Sequence, residues 1–465
     1  MGMIEQNKEL EMMDKRYVWH PFTQMKDWYD EKPVIISEGR DCFLKDIYGN
    51  WYIDGVSSLW VNIHGHRKEE IDNAIKTQID HIAHTTMLGL SNVPGIQLAE
   101  KLVKIANHDL IDSQGSIPEN AQPLTRVFYS DNGSTAVEVA LKMSFQYWIH
   151  RGVNGKNAFL SLKYGYHGDT IGAVSVGGID IFHKAFSPLL FHSHRAPAPY
   201  CYRCELQKTY PECSFACLEA MEEIFEKNAD RIAAVILEPL VLAAGGMIVS
   251  PPGYLKGVRD LCTRHNVLMI ADEVATGFGR TGRMFACEHE GVVPDIMCLS
   301  KGITGGYLPL AVTIAKDEIY SAFLGEYRDL KTFFHGHSYT GNPLGCAAAL
   351  ACLGIFERDD TLEALQPKIA LLETFLSEIS VLGHVGDVRS KGVMAGIELV
   401  KDKVTKKPYP WEEKRGWQVA DYARRKGVFI RPLGNVVVIM PPLSISLENL
   451  EQLLNVIKEG IRKVT

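Results

Sequence analysis

The chain has no stretch approaching the roughly 18 uninterrupted apolar residues that a bilayer-spanning helix needs. Its first residues, MGMIEQNKELEMMDKRYVWHPF, lack the continuous apolar core of a secretory signal, so the expected location is cytoplasmic, with no membrane partner. Nor is there an excess of positive charge. With 49 Lys and Arg against 56 Asp and Glu, the net charge is -7, and no electrostatic footprint for nucleic acid is expected. Repeats, low-complexity tracts and Gly/Ser linkers are also missing. What remains is a compact globular chain (hydrophobic content 46%) suited to small-molecule chemistry.

Cysteine is not scarce, but a reducing compartment argues against a disulfide framework among the ten. Cys42, Cys262, Cys287, Cys298, Cys346 and Cys352 sit in apolar runs as ordinary buried small side chains. The other four crowd into CYRCELQKTYPECSFAC, where Cys201 with Cys204 and Cys213 with Cys217 form two close pairs of the kind that hold zinc. One reading is a zinc-stapled binding protein. The other is packing, because Cys213 and Cys217 are four apart at the start of the helical run CLEAMEEIFEKNADRIA, and one face of a first turn buries two thiols. The expectation is no metal.

At 465 residues the chain exceeds one ordinary core. Near its start, GRDCFLKDIYGNWYIDGVSS alternates apolar and polar residues around a Tyr-Gly-Asn turn, predicting an antiparallel hairpin. From about Ala99, helices and strands alternate through LTRVFYS, TAVEVALKMSFQYWIH, KNAFLSL, RIAAVILEP, NVLMIADE, DIMCLSK and LAVTIA. The strands are apolar without alternation, as in a parallel sheet covered on both faces. After Cys346 an Ala-rich helical run leads to strands at GVMAGIELV and NVVVIMPP and a closing helix, SLENLEQLLNVIKEGIRKV. The expected fold is α/β: a large, mostly parallel sheet domain (76–345) and a small α+β domain built from both termini (1–75 and 346–465).

Two glycine-rich turns follow predicted strands. Gly277, Gly279 and Gly282 in TGFGRTGR spell the dinucleotide fingerprint, which would fit a nucleotide-dependent dehydrogenase. However, RMFACEHEG after them has no helical period, and Asp272 and Glu273 would repel phosphate. A tight loop is the better reading. At VFYSDNGSTAVEVALK, a buried strand ends, Gly133 and Ser134 turn, and an amphipathic helix begins at once, so N–H groups, the dipole and a hydroxyl converge on one anion. The alternative is an ordinary helix start capped by Ser134 or Thr135.

Context comes from MIADEVATGFGRTGR and PDIMCLSKGITGG. Asp272 ends one buried strand and Lys301 ends the next, so both emerge at the sheet edge where ligands sit in open α/β folds. A lysine among apolar and small residues has its ammonium disfavoured and acts as a nucleophilic amine; taken alone, a surface lysine is the commoner case. With a carboxylate and an anion turn, the set suggests pyridoxal 5'-phosphate (PLP): Lys301 for the Schiff base, Asp272 for the pyridine nitrogen, Gly133 and Ser134 for the phosphate.

The run Met269 to Gly306 resembles the signature of the class III, fold type I PLP-dependent aminotransferases, and the similarity extends over nearly the whole chain. WHPFTQM, DGVSSLWVNIHGH, YHGDTIGAVSV, ACEHEGVVPDI, HGHSYTGNPL and IRPLGNVVVIMPP resemble the branch that aminates the ketone of 8-amino-7-oxononanoate in biotin synthesis; the signature alone also fits an ω-amino acid or diamine aminotransferase. The resemblance implies that Tyr166, in YGYHGD, stacks on the cofactor and meets substrate, although a core tyrosine is the plainer alternative. It implies that Gly336, His337 and Ser338 reach the phosphate from the partner subunit of a homodimer with shared active sites. It gives Arg431 the substrate carboxylate, Arg280 a second arginine role in the site, and Trp60 and Asp169 places in the pocket wall. Substrates are then a small-molecule amine and a ketone. Where many members carry Trp-Trp and Tyr, this chain has Leu59-Trp60 and Phe22. S-adenosylmethionine is the family's usual donor; the lost aromatic face brings in L-lysine, which Bacillus-type members sharing the departure are expected to use.

Overall fold

A computed structural model describes residues 3–110, 117 and 122–465. Its centre is a seven-stranded sheet in the spatial order Leu124–Ser130, Ala311–Lys316, Ile296–Leu299, Leu268–Asp272, Ile232–Leu237, Ala158–Leu162, His194–Ala196. All run parallel except Ala311–Lys316, which is antiparallel to both neighbours. The reason lies in its connection: after Leu299 the chain makes only a short 3-10 turn (Lys301–Thr304) before Ala311, too little for the helical crossover that a parallel partner needs. The mostly parallel sheet expected from the apolar runs is present, with this one strand reversed.

The strand Ile232–Leu237 shows why those runs do not alternate. Every residue in it is buried, but Ala234 and Ile236 pack on one face with Ala136, Val137 and Ala140 of the helix Gly133–His150, whereas Val235 and Leu237 pack on the other with Leu255 and Val258 of the helix Tyr254–Arg264. With both faces covered, each buried aliphatic side chain contributes about 1.5–3 kcal/mol relative to exposure.

The chain's ends meet away from this sheet. Ile36–Arg40, Phe43–Asp46 and Trp51–Asp54 form an antiparallel meander that includes the expected hairpin, and Val428–Phe429 joins it in parallel beside Ile53 and Asp54. Val385–Lys391, Met394–Asp402 and Val436–Ile439 form a further antiparallel sheet. The closing helix is Leu447–Val464, capped by Ser446. The Ala-rich helix begins before Cys346, at Pro343, capped by Asn342, and packs on the helices Glu69–His81 and Val93–Ala106; the expected division at 345/346 falls inside it. No helix among the described residues is long and apolar enough to cross a membrane.

Candidate active site

The site forms at the C-terminal edge of the sheet, where Leu268–Asp272 and Ile296–Leu299 lie side by side with Asp272 opposite Cys298. Beyond Leu299 the chain turns sharply: Ser300 is pinned by its hydroxyl to Leu310 O (2.9 Å), and Lys301 adopts a left-handed φ of 45°. This returns the lysine side chain over the sheet edge, into a cleft of about 720 Å3 lined also by Trp60, Gly133, Ser134, Tyr166, Asp169 and Asp272. Lys301 Nζ lies 4.9 Å from the centre of the Trp60 ring. Burial lowers its pKa below the ordinary lysine value; Asp272 and Glu238 oppose that effect, and the charge of Arg280 adds to it.

Asp272 is held from below. His167 Nδ1 donates to its Oδ2 at 2.7 Å, and Val274 N donates to its Oδ1 at 3.1 Å. The imidazole is fully enclosed and its Nε2 has no hydrogen-bond partner among the described residues. Glu238, at the end of the neighbouring strand, accepts from the N–H groups of Tyr166 (3.0 Å) and Ala243 (2.9 Å); burial pushes its carboxyl up to about 7. Neither His167 nor Glu238 was singled out from the sequence. The signals were there, since His167 sits inside YGYHGD and Glu238 ends RIAAVILEP as Asp272 ends its own strand.

The anion turn lies across the cleft. The helix Gly133–His150 is capped by Asn132, whose side chain accepts from Thr135 N (3.1 Å), so the cap is neither Ser134 nor Thr135 as the ordinary-helix alternative had it. The N–H groups of Gly133 and Ser134 have no acceptor among the described residues. Ser134 Oγ accepts from Thr170 N at 3.0 Å. Gly168, at φ 119°, lets the backbone approach this hydroxyl, which a Cβ there would strike. A Cβ on Gly133 would meet Val274 at 2.6 Å. Tyr166 OH donates to Asp169 Oδ2 (2.9 Å), and burial raises the phenol well above its usual range.

Other expected site residues stand further back. Arg280 is 1% exposed and bonded to Ser57 Oγ (3.1 Å), Asn62 O (2.9 Å) and Pro441 O (2.8 Å), inside the wall and not in the cleft lining; burial lowers its pKa to about 9. Arg431 donates to Phe22 O (3.0 Å) and lies over the Trp417 ring. Gly336 and Ser338 are exposed, and His337 Nε2 lies 4.0 Å from Asp131 of the same chain, next to the anion turn. The second glycine motif is a tight loop, with Gly279 and Gly282 at positive φ, followed by a five-residue 3-10 turn in place of a phosphate-binding helix. Cys201 and Cys204 lie at a 3-10 turn, Cys213 in the turn before the helix Ala216–Asn228 and Cys217 within it. Burial raises the pKa of Cys201, and that of Cys217 to about 11, which disfavours thiolates. No group of three or more potential ligands among the described residues is placed to hold a metal ion.

The family described as Aminotransferase class-III matches residues 24–461. The chain belongs to this family. The class III aminotransferase is 54% identical to the adenosylmethionine-8-amino-7-oxononanoate aminotransferase of Geobacter sulfurreducens, over 97% of each chain. It is 52% identical to the protein of that name from Anoxybacillus flavithermus, covering 100% of this chain and 98% of the relative. Among solved structures it resembles the Methanocaldococcus jannaschii protein of the same name (TM-score 0.91, 48% identity, 98% and 99% of the two chains). It also resembles a PLP-bound amine transaminase from an uncultivated Pseudomonas species (TM-score 0.89, 36% identity, 97% and 99%).

PLP is the cofactor of a class III aminotransferase, and the cleft fits it. A helix start with free N–H groups faces it from one side, a carboxylate held by a buried histidine forms its floor, and a lysine with a lowered pKa closes it.

Proposed function

We propose that the enzyme transfers an amino group from S-adenosylmethionine to the ketone of 8-amino-7-oxononanoate, giving 7,8-diaminononanoate in biotin biosynthesis. The observation that carries this reading is the identity of about half of all residues, end to end, with relatives bearing that name. L-lysine is the second reading for the donor, because Leu59 and Phe22 stand where many members have aromatic or hydroxylated rings, and Leu59 is half exposed with no ring to offer a sulfonium.

In this reading Gly133 and Ser134 would hold the cofactor's phosphate by their N–H groups and the helix dipole, with His337 near the same turn. Tyr166, fixed by its bond to Asp169, would stack on the ring. Asp272 would keep a proton on the ring nitrogen, and His167 orients that carboxylate by donating to one oxygen. When bound, PLP supplies an electron-poor ring that accepts the electron pair left as a bond to the amine-bearing carbon breaks. As that C–H bond breaks, Lys301 Nζ would take its proton, acting as base, and would later give a proton back on the other side of the substrate–cofactor pair, acting as acid. Trp60 and Tyr166 line the cleft into which Nζ projects, and Arg431 would meet the substrate carboxylate as a planar fork.

The enzyme works in the cytoplasm as a homodimer with shared sites. Supporting the dimer, Leu88, Leu90, Val93 and Ile96 are each at least 59% exposed. This segment adjoins exposed Phe334, Gly336 and Tyr339, through Leu88 against Gly336 and His84 against Tyr339; a monomer seldom leaves such a patch bare. Mixing the yellow holoenzyme with each donor tests the reading: S-adenosylmethionine should shift the cofactor's visible absorption, and 8-amino-7-oxononanoate should restore it. A shift with lysine alone would transfer the donor assignment, and no restoration by the ketone would overturn the substrate.

A further inference from the structure

One wall of the cleft is built from a conformation that proteins avoid. Ser57, Ser58, Leu59 and Trp60 have φ values of 51°, 48°, 67° and 72°, a full left-handed turn without a glycine. Single non-glycine residues seldom adopt this region, and consecutive ones persist only where their surroundings fix them.

The surroundings do so from both ends of the chain. Asp54, wholly buried at the end of the strand Trp51–Asp54, accepts from Ser58 N (2.8 Å) and Ser58 Oγ (2.7 Å), and its second oxygen also takes His66 Nε2 (3.1 Å). Ser57 Oγ donates to Met440 O (2.6 Å) and accepts from Arg280, which also grips the carbonyls of Asn62 and Pro441. Burial does not explain the strain at the crest, since Leu59 is 51% exposed, while Ser57 and Trp60 on either side are buried. What the turn does deliver is the Trp60 indole, 7% exposed, with its ring centre 4.9 Å from Lys301 Nζ. A ring face attracts an ammonium without accepting its proton. That suits an amine that must hold a proton briefly and give it up.

We propose that Asp54 is a positioning residue of this transferase: by pinning Ser58 it locks the left-handed turn that sets Trp60 against Lys301, and Arg280 secures the same turn from its other side. The proposal rests on the lysine chemistry of the family and on Trp60 lining the cleft, and is independent of which amine or ketone is used.

The test is Asp54→Asn in the full-length holoenzyme, with two readouts. The first is the near-ultraviolet circular dichroism of Trp60, isolated by subtracting the Trp60→Phe spectrum in the same background. The second is kcat and KM for the amine donor. The indole band should fall by about half or more while kcat drops roughly tenfold to a hundredfold with KM changed far less, as for misplacement of reacting groups. Adding Leu59→Gly, which removes the penalty of left-handed φ at one of the four positions, should restore both readouts part of the way toward those of Leu59→Gly alone. An unchanged band and kcat in Asp54→Asn, or a loss that glycine does not restore, overturns the proposal. If Asp54→Asn does not fold, Ser58→Ala, which removes one of the three bonds to Asp54, should show the same paired loss to a smaller degree with the same rescue; unaltered readouts there overturn the proposal equally.

Discussion

Two lysines with lowered pKa sit at opposite edges of the central sheet, and the difference between them separates structure from chemistry. Lys156, before the strand Ala158–Leu162, donates to the carbonyls of Ala229 (2.9 Å), Ile232 (3.1 Å) and Asn266 (2.6 Å) and lies 4.4 Å from the Trp148 ring centre. Lys301, at the other edge, has no hydrogen bond to its Nζ among the described residues, and has an indole face and a cleft in front of it. Burial lowers both pKa values, that of Lys156 to about 8. A perturbed pKa therefore does not distinguish them. Saturation does: three carbonyls leave the Lys156 ammonium no free donor, so it ties together the starts of three strands, whereas the amine of Lys301 is free to form and break bonds.

Exchanging what each lysine can do gives the sharpest break. Lys301→Ala should lower transamination by a thousandfold or more, since it removes nucleophile and proton carrier together, while the urea midpoint moves little; steady-state turnover and unfolding on the same preparation check both halves. Lys156→Met should do the reverse. Turnover per folded molecule stays within about twofold, but stability falls by about 1–3 kcal/mol as buried carbonyls lose their donor, read by urea unfolding. Equal losses of activity in the two variants would end the distinction.

Glu238 sharpens the comparison through pH. Its folded pKa of about 7 lies above the ordinary 4.5, so between those values the folded state keeps a proton that the unfolded chain has released. Its contribution to stability is fully present below about pH 4.5 and is lost as pH rises through about 7. Glu238→Gln should remove that decline, so that the difference in thermal midpoint between variant and parent grows in the variant's favour from pH 5 to pH 7.5.

Much of the sheet was legible because its strands are long and buried on both faces, which leaves runs such as RIAAVILEP and NVLMIADE without period-two alternation. Asp272 and Lys301 were legible for a related reason: a charged residue directly after such a run has only the sheet edge to occupy. Val428–Phe429 was not, because two residues carry no periodicity and their partner Ile53–Asp54 is remote in sequence. The depth of Arg280 was equally hidden, since the three groups its guanidinium bonds come from residues 57, 62 and 441, and no local pattern records that meeting. His167 reaches Asp272 across 105 residues of sequence.

The smallest expected effect concerns the thiols from Cys201 to Cys217, the most chemically suggestive cluster in the sequence. By the rule that separates the lysines, an unsaturated group matters to catalysis only where a cleft reaches it, and none of these four lines the cleft. Their segment is held by other means: Arg203 and Tyr200 both donate to Glu398, which also receives Arg389, and Lys406 Nζ donates to Tyr202 O at 2.8 Å. Replacing all four cysteines by serine should therefore leave turnover unchanged and move stability by no more than about 1 kcal/mol, as for partly exposed surface positions. Arg203→Ala, which strips one donor from a carboxylate with little exposure, should cost more than the four together. Urea midpoints of the two variants, with zinc measured in the parent, decide it; bound zinc lost on replacement, with a fall in stability larger than that of Arg203→Ala, would make the thiols the true fastening of this loop.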